Sequence, residues 1–179
     1  EDVSGAFPDI VEAIDFEGVF DGELLVRREE AVASFNDLQQ RLNRKTVTPR
    51  MLKAHPAHVR LYDVLRLEGR DLRDLSFDER RARLEAWMAE KPRPRFDLSP
   101  LVVFTDWAHL AGLREEMRQD GIEGLMLKRA DSAYLAGRPK GPWFKWKRDP
   151  LLADCVLMYA QRGHGRSEEH TSELQSRQY

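Results

Sequence analysis

The fold of this chain is decided by two segments, Gly121-Ile122-Glu123-Gly124-Leu125-Met126-Leu127-Lys128-Arg129 and Trp143-Phe144-Lys145-Trp146-Lys147-Arg148. Both alternate one kind of side chain with another, which is typical of a half-buried β-strand. Lys145 and Lys147 share one face of the second strand, because side chains alternate across a strand. Phe144 and Trp146 share the other face. Two neighbouring ammonium groups repel each other, which indicates a polyanion between them, with a nucleotide phosphate as the candidate. Glu123, one strand away, is placed to hold a divalent metal on the same phosphates.

Composition limits the class of protein. The 179 residues correspond to one domain, or to one domain and part of another. The hydrophobic content of 41% supports a core, and the charged content of 34% indicates a soluble surface. No apolar run approaches the roughly 20 residues of a membrane helix. The single cysteine, Cys155, rules out a disulfide within the chain, and no secretory signal is visible. We therefore expect a cytoplasmic protein.

The local distribution of charge is more informative than the net charge of −2. The stretch from Lys128 to Arg148 contains seven basic residues and one acidic residue, Asp131. Aromatic side chains are interleaved with the basic ones, a combination that suits a phosphate-rich ligand. A solvated basic face is the alternative. The basic residues are Lys128, Arg129, Arg138, Lys140, Lys145, Lys147 and Arg148.

Apolar spacing predicts an α+β fold in which strands carry the chemistry and helices cover the outside. The predicted strands are 18–27, 58–67, 101–104 and the two opening segments. The predicted helices are 8–13, 33–42, a short helix from Thr48 to before Pro56, 77–90 and 106–119. A capping box, Ser76 with Glu79, begins the fourth helix. Thr105 is the expected cap of the fifth.

Two further expectations concern charged residues. The basic face of the fourth helix, formed by Arg80, Arg81 and Arg83, is expected to be solvated. The pair Asp21-Gly22 is expected to shape a turn before Glu23.

Four segments resemble motifs of the ATP-dependent DNA ligases, and they occur in the order found in that family. The segment 123–128 resembles motif IV, and 143–147 resembles motif V. Upstream, Phe20-Asp21-Gly22-Glu23-Leu24 resembles motif III, and the segment 61–72, which begins Leu61-Tyr62-Asp63, resembles motif IIIa. The likeness covers about residues 1–165 and is strongest to bacterial ligases of the DNA repair type.

The resemblance implies a fold and a domain organisation. The fold would be an ATP-grasp-like covalent nucleotidyltransferase domain with mainly antiparallel sheets. Residues 1–149 would be the C-terminal part of the adenylation domain, and 150–165 would begin an OB-fold domain. Residues 166–179 are polar and without periodicity, and they resemble a translated sequencing adapter. We expect this tail to be disordered or artefactual.

The resemblance also implies roles for individual residues. Glu23 would accept a hydrogen bond from the ribose, with a solvated strand carboxylate as the alternative. Tyr62 would stack on adenine, or else be an ordinary core tyrosine. Glu123 would bind Mg²⁺ or Mn²⁺, or else be a turn residue. Lys145 and Lys147 would contact the α-phosphate of ATP, and Lys145 would also polarise the leaving group.

Weaker assignments follow for other polar residues. Lys128, Arg138 and Lys140 are candidates for contacts to phosphate or to the DNA backbone, and a plain surface role is equally compatible with their sequence. Asp63 receives no role, and neither does Asp21.

The family seals nicks through an enzyme-adenylate and a DNA-adenylate, by in-line displacements at phosphorus. The adenylated lysine lies in a Lys-x-Asp-Gly motif, which does not occur in these 179 residues. Motif VI is also absent. We therefore interpret the chain as a fragment that is inactive alone and holds the metal and phosphate side of a site. The expected partners are nicked duplex DNA and DNA repair proteins, and the expected state is a monomer.

Three alternatives remain open from the sequence. An RNA ligase or an mRNA-capping guanylyltransferase shares the lysine and glutamate motifs, although the extension 67–72 favours a DNA ligase. A non-catalytic nucleic-acid-binding module would explain the basic segment. A structural domain with chance matches is the third.

Overall fold

The computed structural model of the chain describes residues 2–29, 31–42, 44, 46–116, 124–137, 139–147, 149, 154, 156, 158–162 and 172–174. The chain divides into two units, Glu1–Trp146 and Lys147–Tyr179. The helices are α1 (Pro8–Ala13), α2 (Phe35–Gln39), α3 (Pro49–Ala54), α4 (Phe77–Glu90) and α5 (Trp107–Glu116). The strands are β1 (Gly18–Arg28), β2 (Ala31–Val32), β3 (Ala57–Leu67), β4 (Arg70–Asp71), β5 (Phe96–Leu98), β6 (Gly124–Lys128), β7 (Trp143–Lys147), β8 (Ala160–Arg162) and β9 (Ser172–Leu174).

The first unit is built on a five-stranded sheet with β1 and β3 at its centre. The strand order is β2-β1-β3-β4, and β5 also pairs with β3. All of these pairings are antiparallel except β3 with β5. A two-residue turn, Glu68-Gly69, joins β3 to β4, and both of its residues have positive φ, as a tight hairpin turn requires. The mixture of helices with a mainly antiparallel sheet confirms the predicted α+β class.

The core lies on one face of this sheet. Val26 of β1 and Leu61 and Val64 of β3 are buried there, under Leu84 and Trp87 of α4. Aromatic rings fill the end of this core, and three of their four contacts are edge-to-face, a geometry favourable beyond simple burial. The rings are those of Phe16, Phe20, Trp87 and Phe96.

A buried ion pair attaches the start of the chain to the sheet. The Arg41 guanidinium donates to both carboxylate oxygens of Asp9, at 2.9 and 2.5 Å, and to the carbonyl of Ala6. Asp9 also accepts from the backbone N–H of Ala57, at 3.0 Å, where β3 begins. Because both charges are buried and bonded on several sides, this pair is a structural element rather than a surface ion pair.

Most of the predicted elements are confirmed, including the Ser76–Glu79 capping box that begins α4. The predicted strand 101–104 is wrong. The strand lies earlier, at β5, because Phe96 is buried in the aromatic core whereas Val103 is 87% exposed. The predicted cap Thr105 is also wrong, since it is Asp106 that accepts from the backbone N–H of His109, at 2.8 Å.

The expected solvated basic face of α4 is wrong for two of its three residues. Arg80 and Arg81 are buried, and only Arg83 is exposed. Arg80 lies four residues before Leu84 and seven before Trp87, so it belongs to the apolar stripe that faces the sheet.

The β6–β7 pair forms a separate two-stranded sheet. Its last residue, Lys147, begins the second unit, in which β8 pairs antiparallel with β9. The predicted start of an OB-fold and the predicted disorder of the tail stay predictions. Within the described part of the chain, no helix has the length and apolar content needed to cross a membrane.

Candidate functional site

The candidate site begins at Gly22 of β1, which lies close to the backbone of β3. A β-carbon on Gly22 would lie 2.7 Å from the carbonyl oxygen of Arg60, so only glycine fits there without a backbone shift. Asp21 pairs with Asp63 and Gly22 pairs with Leu61, which leaves Tyr62 as the extra residue of a β-bulge. Asp21-Gly22 therefore lies within a strand, and the expected turn at this pair is wrong.

The bulge brings two of the predicted site residues together. The phenol of Tyr62 donates a hydrogen bond of 2.5 Å to Oε2 of Glu23. Tyr62 is half-buried and Glu23 is exposed. Burial raises the pKa of Tyr62, and the hydrogen bond to Glu23 raises it further, so the phenol stays protonated at neutral pH. A carboxylate has further lone pairs, so Glu23 can accept from a ligand while it holds Tyr62.

Basic side chains converge on Asp97 beside this pair. Arg60, the cross-strand neighbour of Glu23, donates to both oxygens of Asp97, at 3.0 and 2.8 Å. His58 and Arg27 also lie near Asp97, at 3.2 and 3.6 Å. Burial is the main cause that lowers the pKa of His58, which leaves its ring neutral at pH 7. With two arginines, a neutral histidine and one aspartate, this group of side chains around Asp97 is therefore net positive.

The residue that follows Tyr62 in β3, Asp63, forms a buried ion pair. The Asp63 carboxylate and the Arg80 guanidinium are both fully buried and joined by two hydrogen bonds, of 2.8 and 2.9 Å. Arg80 also donates to the carbonyl oxygens of Leu75 and Ser132, at 2.5 and 3.1 Å. Asp63 additionally accepts from the backbone N–H of Val64. Four of the five guanidinium N–H groups can thus be bonded, which is what a buried arginine requires.

Lys128 also lies beside the Asp63 carboxylate. Its side chain is 10% exposed, and its ammonium nitrogen lies 3.7 Å from Oδ2 of Asp63. The ammonium lies 4.3 Å from the centre of the Trp143 ring and 5.0 Å from that of Phe77. Burial lowers the pKa of Lys128, while the charges of Asp63 and Asp21 oppose this shift. The plain surface role for Lys128 is therefore wrong.

Trp143 closes this cluster from the second strand of the β6–β7 pair. Its indole N–H donates to the hydroxyl oxygen of Ser132, at 3.0 Å. The Tyr134 ring meets the Trp143 ring edge-on, with centroids 5.0 Å apart. Burial raises the pKa of Tyr134, and the charges of Asp21 and Asp63 raise it further.

The remaining predicted site residues have different outcomes. Lys145 is exposed and lies two residues after Trp143 in β7, so it shares the face that Trp143 turns towards Lys128. Lys147 is exposed at the end of β7 and belongs to the second unit. Lys140 is exposed in the loop before β7. Glu123 and Arg138 lie outside the described residues, so their predicted roles stay predictions.

Sequence reasoning missed the Asp63 cluster. The available signals were a carboxylate inside an apolar strand, at Asp63, and an arginine on the apolar stripe of a helix, at Arg80. Each of these charges needs a buried partner. Ser132 carried no comparable signal, because its roles depend on where the chain places its carbonyl and its hydroxyl.

The arrangement suits a nucleotide. An aromatic ring and a carboxylate lie side by side at Tyr62 and Glu23, as a base and its ribose require. Lys145 is exposed on β7, the strand that also carries Trp143. In the described part of the chain, no group of three or more His, Cys, Asp or Glu side chains could hold a metal by itself. A metal bound partly through phosphates needs only one or two carboxylates from the protein.

Comparisons with known proteins identify the family. A family model described as "ATP dependent DNA ligase domain" matches residues 1–147. A probable DNA ligase of Saccharopolyspora erythraea is 35% identical over 157 residues, which is 87% of this chain and 28% of that protein. A DNA ligase of Cenarchaeum symbiosum is 35% identical over 178 residues, which is 93% of this chain and 30% of that protein.

Solved structures show the same fold. The ligase domain of M. tuberculosis LigD has a TM-score of 0.61 and 27% sequence identity, covering 82% of this chain and 45% of that one. A mycobacterial DNA ligase D complexed with ATP and MES has a TM-score of 0.58 and 27% identity, covering 80% and 42%. The fold is thus the nucleotidyltransferase domain found in these ligases. The chain belongs to the ATP-dependent DNA ligase family, and it spans about a third or less of the length of its curated relatives.

Proposed function

We propose that this chain forms part of an ATP-dependent DNA ligase and supplies much of its nucleotide-binding surface. The observation that carries the proposal is the hydrogen-bonded pair of Tyr62 and Glu23 within the segment matched by the family model. Tyr62 stacks on the adenine ring, and Glu23 accepts a hydrogen bond from the ribose. A ring held by a short hydrogen bond is already oriented, which reduces the entropy lost when a base binds.

Lysines form the phosphate-binding side of the proposed site. Lys145 and Lys147 contact the α-phosphate and neutralise charge during displacement at phosphorus. Lys128 supports the same part of the site. Glu123 supplies a carboxylate to a Mg²⁺ or Mn²⁺ ion whose other ligands are phosphate oxygens and water, which is the usual way in which Mg²⁺ binds with nucleotides. In this scheme the reaction joins nicked duplex DNA through adenylated intermediates.

Nucleotide binding by the 179-residue chain tests the proposal directly. We expect calorimetry to show that ATP binds in the presence of Mg²⁺, and that GTP binds at least about tenfold more weakly. Equal binding of ATP and GTP would favour the capping-type alternative. Binding of DNA without any binding of ATP would favour a plain nucleic-acid-binding module and contradict the proposal.

A hybrid enzyme tests the residues of the phosphate side. Residues 1–147 would replace the matching part of the M. tuberculosis LigD ligase domain, which supplies the rest of that domain. We expect the hybrid to seal nicked DNA, and Glu123→Ala and Lys147→Ala each to abolish sealing at an unchanged melting temperature. Loss of a phosphate contact made in the transition state is worth about 3 kcal/mol or more, whereas an exposed lysine contributes little to stability. Sealing near the unmutated rate by either variant would show that the roles are wrongly assigned.

A further inference from the structure

The position of the β6–β7 ribbon, residues 124–146, has to be fixed by something other than a shared sheet. Among the described strands, β6 and β7 pair with each other and not with the five-stranded sheet. Two backbone hydrogen bonds connect the ribbon to the segment around the start of α4. They join Asp78 to Ala130, at 3.1 Å, and Tyr134 to Arg73, at 2.8 Å. Neither of these bonds reaches β3, which carries Tyr62.

The Asp63 cluster makes the connection to β3. Arg80 donates to Asp63 on β3 and also to the carbonyl oxygen of Ser132 in the ribbon. Lys128, the last residue of β6, places its ammonium 3.7 Å from Asp63. The ribbon is thus tied to the residue that directly follows Tyr62.

The charges explain why Lys128 is held there. Asp21 and Asp63 are directly opposite each other on β1 and β3, and like charges at opposed positions destabilise a sheet. Arg80 compensates Asp63 with two hydrogen bonds. Lys128 lies beside Asp63, and the charges of Asp63 and Asp21 both favour its protonated form. A buried ammonium without such partners would be costly, so its charge favours the docked ribbon over a displaced one.

Aromatic contacts restrict Lys128 further. Its ammonium lies between the rings of Trp143 and Phe77, and the Trp143 indole is itself bonded to Ser132. No hydrogen bond of normal length reaches this ammonium from the described residues. Lys145 follows Trp143 by two residues on the same face of β7. Fixing Trp143 over Lys128 therefore also fixes Lys145.

We propose that Lys128 is a positioning residue, whose ammonium beside Asp63 holds the β6–β7 ribbon against the strands of Tyr62 and Glu23. The adenosine and the phosphates of one nucleotide are then bound at a fixed separation. Lys128 acts through the placement of Lys145 and does not itself contact phosphate. This inference rests on the proposed function for its nucleotide, while the docking of the ribbon can be measured without one.

The test compares the affinities of the chain for ATP and for adenosine. Lys128→Met keeps the apolar stem between the two rings and removes the charge. We expect it to weaken ATP binding about tenfold, the typical effect of one lost charged contact, and to leave adenosine binding within about twofold. The matched control, Lys53→Met, removes an exposed lysine on α3 and should change neither affinity. Equal weakening of ATP and adenosine, or no weakening of either, would overturn the proposal.

A double variant separates positioning from direct contact. If Lys128 acts through Lys145, the variant Lys128→Met with Lys145→Met should bind ATP within about twofold of Lys145→Met alone. Additive losses would show that Lys128 contacts phosphate itself and would overturn the proposal. If Lys128→Met fails to fold, Ser132→Ala is used in its place, because it removes the hydroxyl that accepts the hydrogen bond of the Trp143 indole. It should weaken ATP binding and spare adenosine.

Hydrogen exchange separates this proposal from the proposed function. In Lys128→Met, the backbone amides of β6 and β7 should exchange faster while those of β1 and β3 keep their rates. If the unmutated chain binds neither ATP nor adenosine, the proposed function fails, and hydrogen exchange alone then tests the role of Lys128. Unchanged exchange in the ribbon of the variant would then overturn that role.

Discussion

Gly22 of β1 lies so close to the backbone of Arg60 in β3 that a β-carbon on Gly22 would be 2.7 Å from the Arg60 carbonyl oxygen. This approach accompanies the bulge at Tyr62 and brings Glu23 within hydrogen-bonding distance of the phenol. The glycine therefore connects local backbone geometry to the proposed adenosine site.

Substitution of this glycine should affect both stability and binding. We expect Gly22→Ala to lower the free energy of unfolding by about 1–3 kcal/mol, because both strand backbones have to shift. It should also weaken ATP binding, because the shift separates Glu23 from Tyr62. Chemical denaturation and calorimetry measure the two effects. Gly112→Ala, a substitution with open space around the new methyl group, is the control and should bind ATP normally.

Two substitutions of Tyr62 separate its ring from its hydroxyl. Tyr62→Phe removes the hydrogen bond to Glu23 and should weaken ATP binding by about 1 kcal/mol, or roughly fivefold. Tyr62→Ala also removes the stacking surface, which is worth about 1–3 kcal/mol per base, and should bind more weakly still. If the phenylalanine and alanine variants bind ATP equally well, Tyr62 does not stack on adenine.

The buried pair of Asp63 and Arg80 should be important for stability. Asp63→Ala leaves the buried charges of Arg80 and Lys128 without their Asp63 partner, and we expect it to lower the free energy of unfolding by about 3–5 kcal/mol. Asp71→Ala, which removes an exposed ion pair with Arg73, is the control and should have little effect. Comparable urea midpoints for the two variants would contradict the importance of burial.

The lowered pKa of Asp9 predicts a specific dependence of stability on pH. Burial raises the pKa of Asp9, but hydrogen bonds from Arg41 and Ala57 outweigh it, so its pKa lies below the usual value. The resulting stabilisation is complete above the unfolded pKa of about 4 and is lost as the pH falls through the lower folded pKa. We therefore expect the stability difference between the unmutated chain and Asp9→Asn to narrow as the pH falls from 6 towards 3. A constant difference over this range would show that ionisation of Asp9 does not contribute to stability. Asp74→Asn, at an exposed position, is the control.

The chain by itself should not form a covalent adenylate. The family attaches AMP to the lysine of a Lys-x-Asp-Gly motif, and none of the lysines of this chain lies in such a motif. After incubation with α-labelled ATP and Mg²⁺, denatured protein should carry no stable label. Label that survives denaturation would show that another lysine acts as the nucleophile.

The sequence alone determined the features that depend on neighbouring residues. The alternation in 143–147 predicted a strand with lysines on one face, and Ser76 with Glu79 predicted the start of α4. Both signals are local, because strand periodicity and helix capping involve residues two to four positions apart. The order of the four motifs likewise indicated the family that the comparisons then identified.

Only the tertiary structure decided which charges are buried and which segments pair. Asp63 and Arg80 are 17 residues apart, and Lys128 is farther still, so no local pattern could reveal that they share one buried cluster. The strand β5 forms at Phe96–Leu98 rather than at 101–104 because Phe96 pairs with β3 and packs in the aromatic core. The physical reason is the same in both cases. The free energy of burying a charge or pairing a short strand depends on a distant partner, which the chain supplies only when it is folded.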